Sequence, residues 1–132
     1  MMNNEFENKT VLITGSSRGI GLATAKKFLG EGYFVIGTST SGSSDFKHDN
    51  LKIFQLDLSN SESIKTAVEY ISQFGKKIDI LVNNAGINIE EWEELVLNIS
   101  KLRKTMEVNL ICTADFTERM LAVSDSVKHI VN

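Results

Sequence analysis

Proline is absent from this chain, although average usage of about 5% would put about six or seven in a chain of this length. Cysteine is nearly absent as well. Cys112 stands alone, which excludes an internal disulfide and suits a reducing, cytoplasmic setting. As a small apolar residue in a helical stretch it reads as packing rather than as a nucleophile. No apolar run approaches a membrane span, and Met1-Met2-Asn3-Asn4-Glu5 lacks the form of a secretory signal, so no membrane partner is expected. Basic residues are not in excess: 14 Lys and Arg face 17 Asp and Glu, a net charge of −3. With no Lys/Arg cluster, nucleic acid is not an expected partner. No grouping of side chains reads as a metal site. What remains is an ordinary globular composition, 42% hydrophobic and 23% charged. The 132 residues suit one domain, 1–132, with a real core.

The most informative stretch is Thr14-Gly15-Ser16-Ser17-Arg18-Gly19-Ile20-Gly21. Before it, Lys9 to Thr14 are β-branched and apolar without alternation, as in a strand buried on both faces. After it, Ile20, Ala23, Phe28 and Leu29 recur at roughly helical spacing, with Gly30 and Gly32 as a stop. A glycine turn between a buried strand and a helix start is a device for holding a pyrophosphate. Positions without side chains let the backbone approach the phosphates, and the helix start offers free N–H groups and partial positive charge. Glycine also serves tight turns and helix–strand packing, so the flanking strand and helix carry the argument.

Further strands are expected at Phe34–Thr38, Leu51–Asp57, Ile78–Val82 and Lys128–Asn132. Ser39 to Asn50 is polar and reads as a loop with room for a short helix. Ser59-Asn60-Ser61-Glu62 has a capping-box pattern, and Ile64, Ala67, Val68 and Ile71 form an apolar helix face behind it, closed by Phe74-Gly75. A polar connection containing Trp92 leads to a long helix over about Ile99 to Val123, where Leu102, Met106, Leu110, Thr113, Phe116, Thr117 and Met120 step by three or four. Strands alternating with helices imply an α/β, Rossmann-type doubly wound parallel sheet of about five strands, in the order 3-2-1-4-5. The last strand would then be an apolar edge, which invites self-association and makes a homo-oligomer the expected state.

Four features in chain order make the sequence resemble the short-chain dehydrogenase/reductase family over Lys9 to Asn132. Thr14 to Gly21 is similar to that family's Thr-Gly-x-x-x-Gly-x-Gly cofactor turn, implying cofactor contacts at Gly15, Ser17, Arg18, Gly19, Ile20 and Gly21. Asp57-Leu58 resembles its adenine-contacting pair, and Asn83-Asn84-Ala85-Gly86 resembles its Asn-Asn-Ala-Gly element, placing Asn84, Ala85 and Gly86 on the cofactor cleft. Val108-Asn109-Leu110 is similar to the segment carrying the family's catalytic asparagine, which makes Asn109 the catalytic candidate and Val108 a cleft neighbour. The residues leave other roles open: Asp57 can cap a turn, and Asn83 and Asn84 can serve as turn formers. A buried amide at Asn109 would need a partner in any case.

The resemblance implies a nicotinamide cofactor and an alcohol or carbonyl substrate. A binder of the unphosphorylated dinucleotide would carry Asp or Glu at the end of the second strand. Here that place is Thr38-Ser39-Thr40-Ser41. Hydroxyls at Thr38 and Ser39 can donate to a 2′-phosphate, and Arg18 can add a charged fork, so NADP(H) is expected over NAD(H). The family's reaction also needs a Ser and a Tyr-x-x-x-Lys pair, whose ammonium lowers the phenol pKa for proton transfer. Tyr33 is followed at the fourth place by Gly37 and Tyr70 by Phe74. The chain therefore reads as the cofactor-binding front half of a longer fold. The missing proline fits, since the family's Pro-Gly element follows the lysine. A non-catalytic dinucleotide-binding or regulatory module and an inactive partial gene product remain the alternatives.

Overall fold

The computed structural model describes residues 5–87 and 96–132. The expected connection containing Trp92 lies largely outside them. Five strands, β1 (Thr10–Ile13), β2 (Phe34–Ser39), β3 (Leu51–Gln55), β4 (Ile80–Val82) and β5 (His129–Val131), form one sheet. Its order is β3-β2-β1-β4-β5, and every neighbouring pair is parallel. The helices are α1 (Gly19–Gly30), α2 (Ser61–Phe74), α3 (Ile99–Met106) and α4 (Thr113–Val123). Parallel pairing needs crossovers, and these place helices on both faces.

Alternation along β1 divides the core. Val11 and Ile13 point to one face and pack with Val35 and with Ala25 and Leu29 of α1. Leu12 points to the other and joins Ile36, Leu81, the apolar face of α2, and Phe116 and Met120 of α4. All four expected apolar residues of α2, Ile64, Ala67, Val68 and Ile71, are buried. The helix ends as expected at Gly75, whose φ of 80° is one that L side chains rarely adopt.

Three local expectations need correction. First, α1 does not bury Ile20 and Ala23. Its buried residues are Gly21, Ala25 and Leu29, a stripe stepping by four, while Ile20 is 79% exposed. Glycine and alanine let this helix sit close against the sheet, which is why large apolar residues were a poor guide to its inner face. Second, the α2 cap is Asn60 rather than Ser59. Asn60 Oδ1 accepts from the N–H groups of Glu62 and Ser63, at 3.0 and 3.2 Å. Ser59 instead donates its hydroxyl to Asp57 Oδ1 at 2.6 Å. Third, the helix expected from about Ile99 to Val123 runs unbroken but is not α-helical throughout. A π-helical segment, Glu107–Cys112, separates α3 from α4.

The extra residue per turn rotates the apolar stripe. Val108, Cys112, Phe116 and Met120 step by four onto the core, with Cys112 half-buried, whereas Leu110 is 55% exposed. The thiol of Cys112 is pushed up by burial and then by the nearby carboxylates of Glu107 and Asp115. It is therefore held neutral, as packing requires. The Ser39–Asn50 stretch holds no helix, and Ser39 closes β2. β5 is an edge with all three residues exposed. Among the described residues no helix is long and apolar enough to cross a membrane.

The capping geometry is testable. Asn60→Ala should lower unfolding stability by about 1 kcal/mol in urea titrations. Ser61→Ala, one place further and exposed, should leave the midpoint nearly unchanged.

Candidate functional site

The C-terminal ends of the parallel strands gather the chemistry-bearing residues at one edge of the sheet. The chain leaves β1 at Thr14, whose N–H donates to Val82 O at 3.0 Å. The Thr14 hydroxyl, fully buried, accepts from the N–H groups of Asn84 and Ala85 at 3.1 and 3.0 Å. In return Asn84 Nδ2 donates to the carbonyls of Thr14 and Gly15 at 3.2 and 3.0 Å. The turn is thereby laced to β4. Gly15 has φ of 65°, and a Cβ there would press on Ala85. A Cβ at Gly21 would collide with the Gly15 carbonyl and with Asn84 Nδ2, so glycine is required where α1 passes under the turn.

Helix α1 starts behind Arg18, whose backbone is extended and whose side chain makes no capping bond. Its first turn holds no acidic residue. The N–H groups of Gly19, Ile20 and Gly21 have no partner within a helix by its geometry. A Cβ at Gly19 would meet nothing within 4 Å, so this helix start opens on free space. Ser17 is half-buried beside it, and Arg18 and Ile20 are exposed. The donor set suits a phosphate: uncapped N–H groups at the positive end of a helix dipole, with a guanidinium alongside.

The remaining predicted residues fall into different settings. Asp57, half-buried just beyond β3, accepts from Ser59 N at 2.9 Å and from the Ser59 hydroxyl, while its own N–H donates to Ser63 Oγ at 2.8 Å. The Ser59 hydroxyl and N–H, followed by the more distant Lys104 ammonium, hold its carboxyl below the usual range. Leu58 and Val108 are buried in the core, so their side chains support the cleft from beneath. Gly86 is exposed, and Asn84 and Ala85 are half-buried. Thr38 and Ser39 are buried with their hydroxyls engaged: Thr38 Oγ1 accepts from Gly15 N at 3.1 Å, and Ser39 Oγ donates to Ser43 O at 2.8 Å. The exposed hydroxyls of that loop belong to Thr40, Ser41 and Ser43.

Asn109 sits in the π-helical segment and grips the chain beyond β4. Its Nδ2 donates to Ile87 O and its Oδ1 accepts from Ile87 N, both at 2.7 Å. Asn109 is exposed rather than buried, and the partner of its amide is a backbone segment 22 residues away. Asn83 does the same for β5 and α4. Its N–H donates to Val131 O at 2.8 Å, and its Nδ2 donates to Thr117 Oγ1 and Asn132 Oδ1 at 3.0 and 2.8 Å. Asn83, Asn109, Thr113, Thr117 and Asn132 help line a cavity of about 520 Å³ beside this edge. Ile87 and Thr117 belong to the site and were not picked out for it by sequence; Thr14 was read as the first residue of the turn, without the bracing role its hydroxyl takes. Both tyrosines lie elsewhere: Tyr33 packs against Phe6 and Phe28 before β2, and Tyr70 is exposed on α2. Among the described residues no group of three or more His, Cys, Asp or Glu side chains is placed to hold a metal.

The family model for short chain dehydrogenases matches residues 9–132. The chain belongs to the short-chain dehydrogenase family. A 3-oxoacyl-(acyl-carrier-protein) reductase of Vibrio cholerae is 42% identical over 105 residues, 69% of this chain and 43% of that protein. The reductase of the same name from Haemophilus influenzae is 45% identical over the same shares. The chain therefore spans less than half the length of these relatives. Among solved structures, a short-chain dehydrogenase of Leptospira borgpetersenii with bound NAD+ superposes with a TM-score of 0.76 at 26% identity, covering 93% of this chain and 49% of that one. A 3-oxoacyl-(acyl-carrier protein) reductase of Brucella melitensis in complex with NAD gives 0.73 at 29% identity, covering 87% and 48%. The fold shared with these two structures is that of the short-chain dehydrogenases, and both of those proteins hold NAD.

The depressed carboxyl of Asp57 sets a pH dependence. A group whose folded pKa is lowered stabilises the fold above its unfolded value, near ~3.9, and loses that contribution as pH falls through the folded value. Asp57→Asn should be less stable than wild type in urea at pH 7, and the gap should close as the pH falls below the ordinary carboxylate range and through the lowered folded value.

Proposed function

We propose that this chain is the dinucleotide-binding part of an NADP(H)-dependent oxidoreductase that interconverts a carbonyl and an alcohol. The observation that carries the reading is the uncapped start of α1 at Gly19, with its N–H groups opening on free space beside Arg18. There the pyrophosphate would lie against the N–H groups of Gly19, Ile20 and Gly21. Asp57 and Leu58 would border the adenine, and Asn84, Ala85 and Gly86 would line the cleft toward the nicotinamide. When bound, the nicotinamide supplies or accepts the hydride.

The preference for NADP(H) rests on the end of β2, where no carboxylate stands to repel a 2′-phosphate. With Thr38 and Ser39 turned inward, Arg18 and the exposed hydroxyls of Thr40 and Ser41 are the groups left to receive it. Asn109, in the role the family resemblance implies, would act by holding the backbone at Ile87 and the cleft wall in place. It has no proton to exchange at neutral pH, so the acid–base pair must come from elsewhere. These 132 residues contain no Tyr-x-x-x-Lys, which favours binding without turnover by this chain alone. Among carbonyl substrates, the relatives' names make 3-oxoacyl thioesters the class to test with the whole enzyme. We also read the chain as self-associating, because Leu110, Ile111, Val123, Ile130 and Val131 are exposed along the π segment, α4 and the β5 edge.

Calorimetric titration should show NADPH binding roughly tenfold or more tighter than NADH, and Arg18→Ala should lose most of that margin through its charge-assisted bond. Equal affinity for both, or tighter NADH binding, would remove the NADP(H) assignment. Sedimentation velocity should find dimers or larger species; a monodisperse monomer across the micromolar range would exclude self-association.

A further inference from the structure

Thr38 stands where a direct contact to the adenosine side of the cofactor was expected, yet it is 1% exposed. Both of its polar backbone-facing groups are turned toward the glycine turn. Its hydroxyl accepts the Gly15 N–H at 3.1 Å, and its carbonyl accepts the Ser16 N–H at 2.9 Å. The neighbouring Gly37 makes this approach possible, since a Cβ there would collide with Ser16 Oγ. On the opposite side, Asn84 and Ala85 hold Thr14 and Gly15. The turn is therefore gripped by β2 from one flank and by the exit of β4 from the other.

We propose that Thr38 is a positioning residue that fixes the register of the phosphate-binding N–H groups, rather than a ligand of the 2′-phosphate. Binding Gly15 and Ser16 to β2 withdraws their N–H groups from any anion. The donors left to a phosphate begin beyond Ser16, at the start of α1. A shift of one residue in this clasp would aim a different set of N–H groups at the pyrophosphate. The side chain that selects between the two dinucleotides must then be sought among Arg18, Thr40 and Ser41. This inference rests on the dinucleotide-binding reading for its consequence, but the clasp itself belongs to the free chain.

The test uses the full chain, with amide hydrogen exchange followed by NMR and cofactor affinity by calorimetry. In the wild type without cofactor, the Gly15 and Ser16 amides should be protected and those of Gly19 and Ile20 should exchange faster. Thr38→Val keeps the shape and removes the acceptor, so Gly15 should exchange at least tenfold faster; Thr38→Ser should restore protection. Circular dichroism establishes that each variant is folded, and the wild-type protection pattern stands as the readout should Thr38→Val not fold. With cofactor, Thr38→Val should weaken NADPH and NADH together, by about three- to tenfold, leaving their ratio unchanged. A selective loss of NADPH binding would make Thr38 a 2′-phosphate ligand and overturn the proposal. Unchanged Gly15 exchange would overturn it as well, as would an unprotected Gly15 amide in the wild type. Should the wild type bind neither dinucleotide, the cofactor reading falls, while Gly15 exchange still decides whether Thr38 forms the clasp.

Discussion

Between the exits of β1 and β4, two backbone segments about 70 residues apart are joined by hydrogen bonds that water cannot supply once the site is buried. The Thr14 hydroxyl takes two N–H groups from Asn84 and Ala85, and the Asn84 amide returns two bonds to Thr14 and Gly15. A turn that leaves a buried strand carries polar groups that must find partners. Here each side satisfies the other. The open helix start depends on this lacing, because α1 can begin at Gly19 only if the turn before it is held without using the first N–H groups of the helix. Glycine at 15 and 21 follows from the same closeness: there is no room for a side chain between the turn, Ala85 and Asn84.

The second consequence runs through the π-helical segment. Within it Val108 is buried, Leu110 is exposed, and Asn109 stands where its amide closes a two-point bond with Ile87. The segment after β4 is thus held twice, at Asn84 and Ala85 by Thr14, and at Ile87 by Asn109. Asn83 extends the pattern to α4 and β5. Three consecutive-element asparagines, at 83, 84 and 109, spend their amides on backbone and side-chain partners that brace the cleft. This is how a site with few charged groups acquires rigidity.

Much of this was legible in the residues. Buried strands without alternation, the α2 stripe of Ile64, Ala67, Val68 and Ile71, and the glycine stop at 75 encode their structure locally, because each depends on a period or a backbone angle that neighbouring residues set. The candidate site was legible as a set of positions: the turn at 14–21, Asp57, the run at 83–86 and Asn109. The particular work of each was less so. Ser59 and Asn60 are both good caps, and only the path of the chain into α2 selects Asn60. Gly21 and Ala25 form the inner face of α1 because close packing against the sheet rewards small residues, which a search for large apolar side chains passes over.

What the sequence by itself determined is the succession of parallel-sheet units and the glycine-rich start of α1, since hydrophobic period, turn chemistry and absent side chains act over a few residues. Which hydroxyls face solvent was decided only by tertiary structure. Thr38, Ser39, Thr40 and Ser41 are chemically alike, and the inward turn of the first two follows from β2 lying beside the glycine turn and taking up its N–H groups. The π-helical winding at Glu107–Cys112 is of the same kind. It follows from packing Val108 and Phe116 on one sheet face while Asn109 reaches a strand exit distant in the chain, and such long-range demands leave no local period to read.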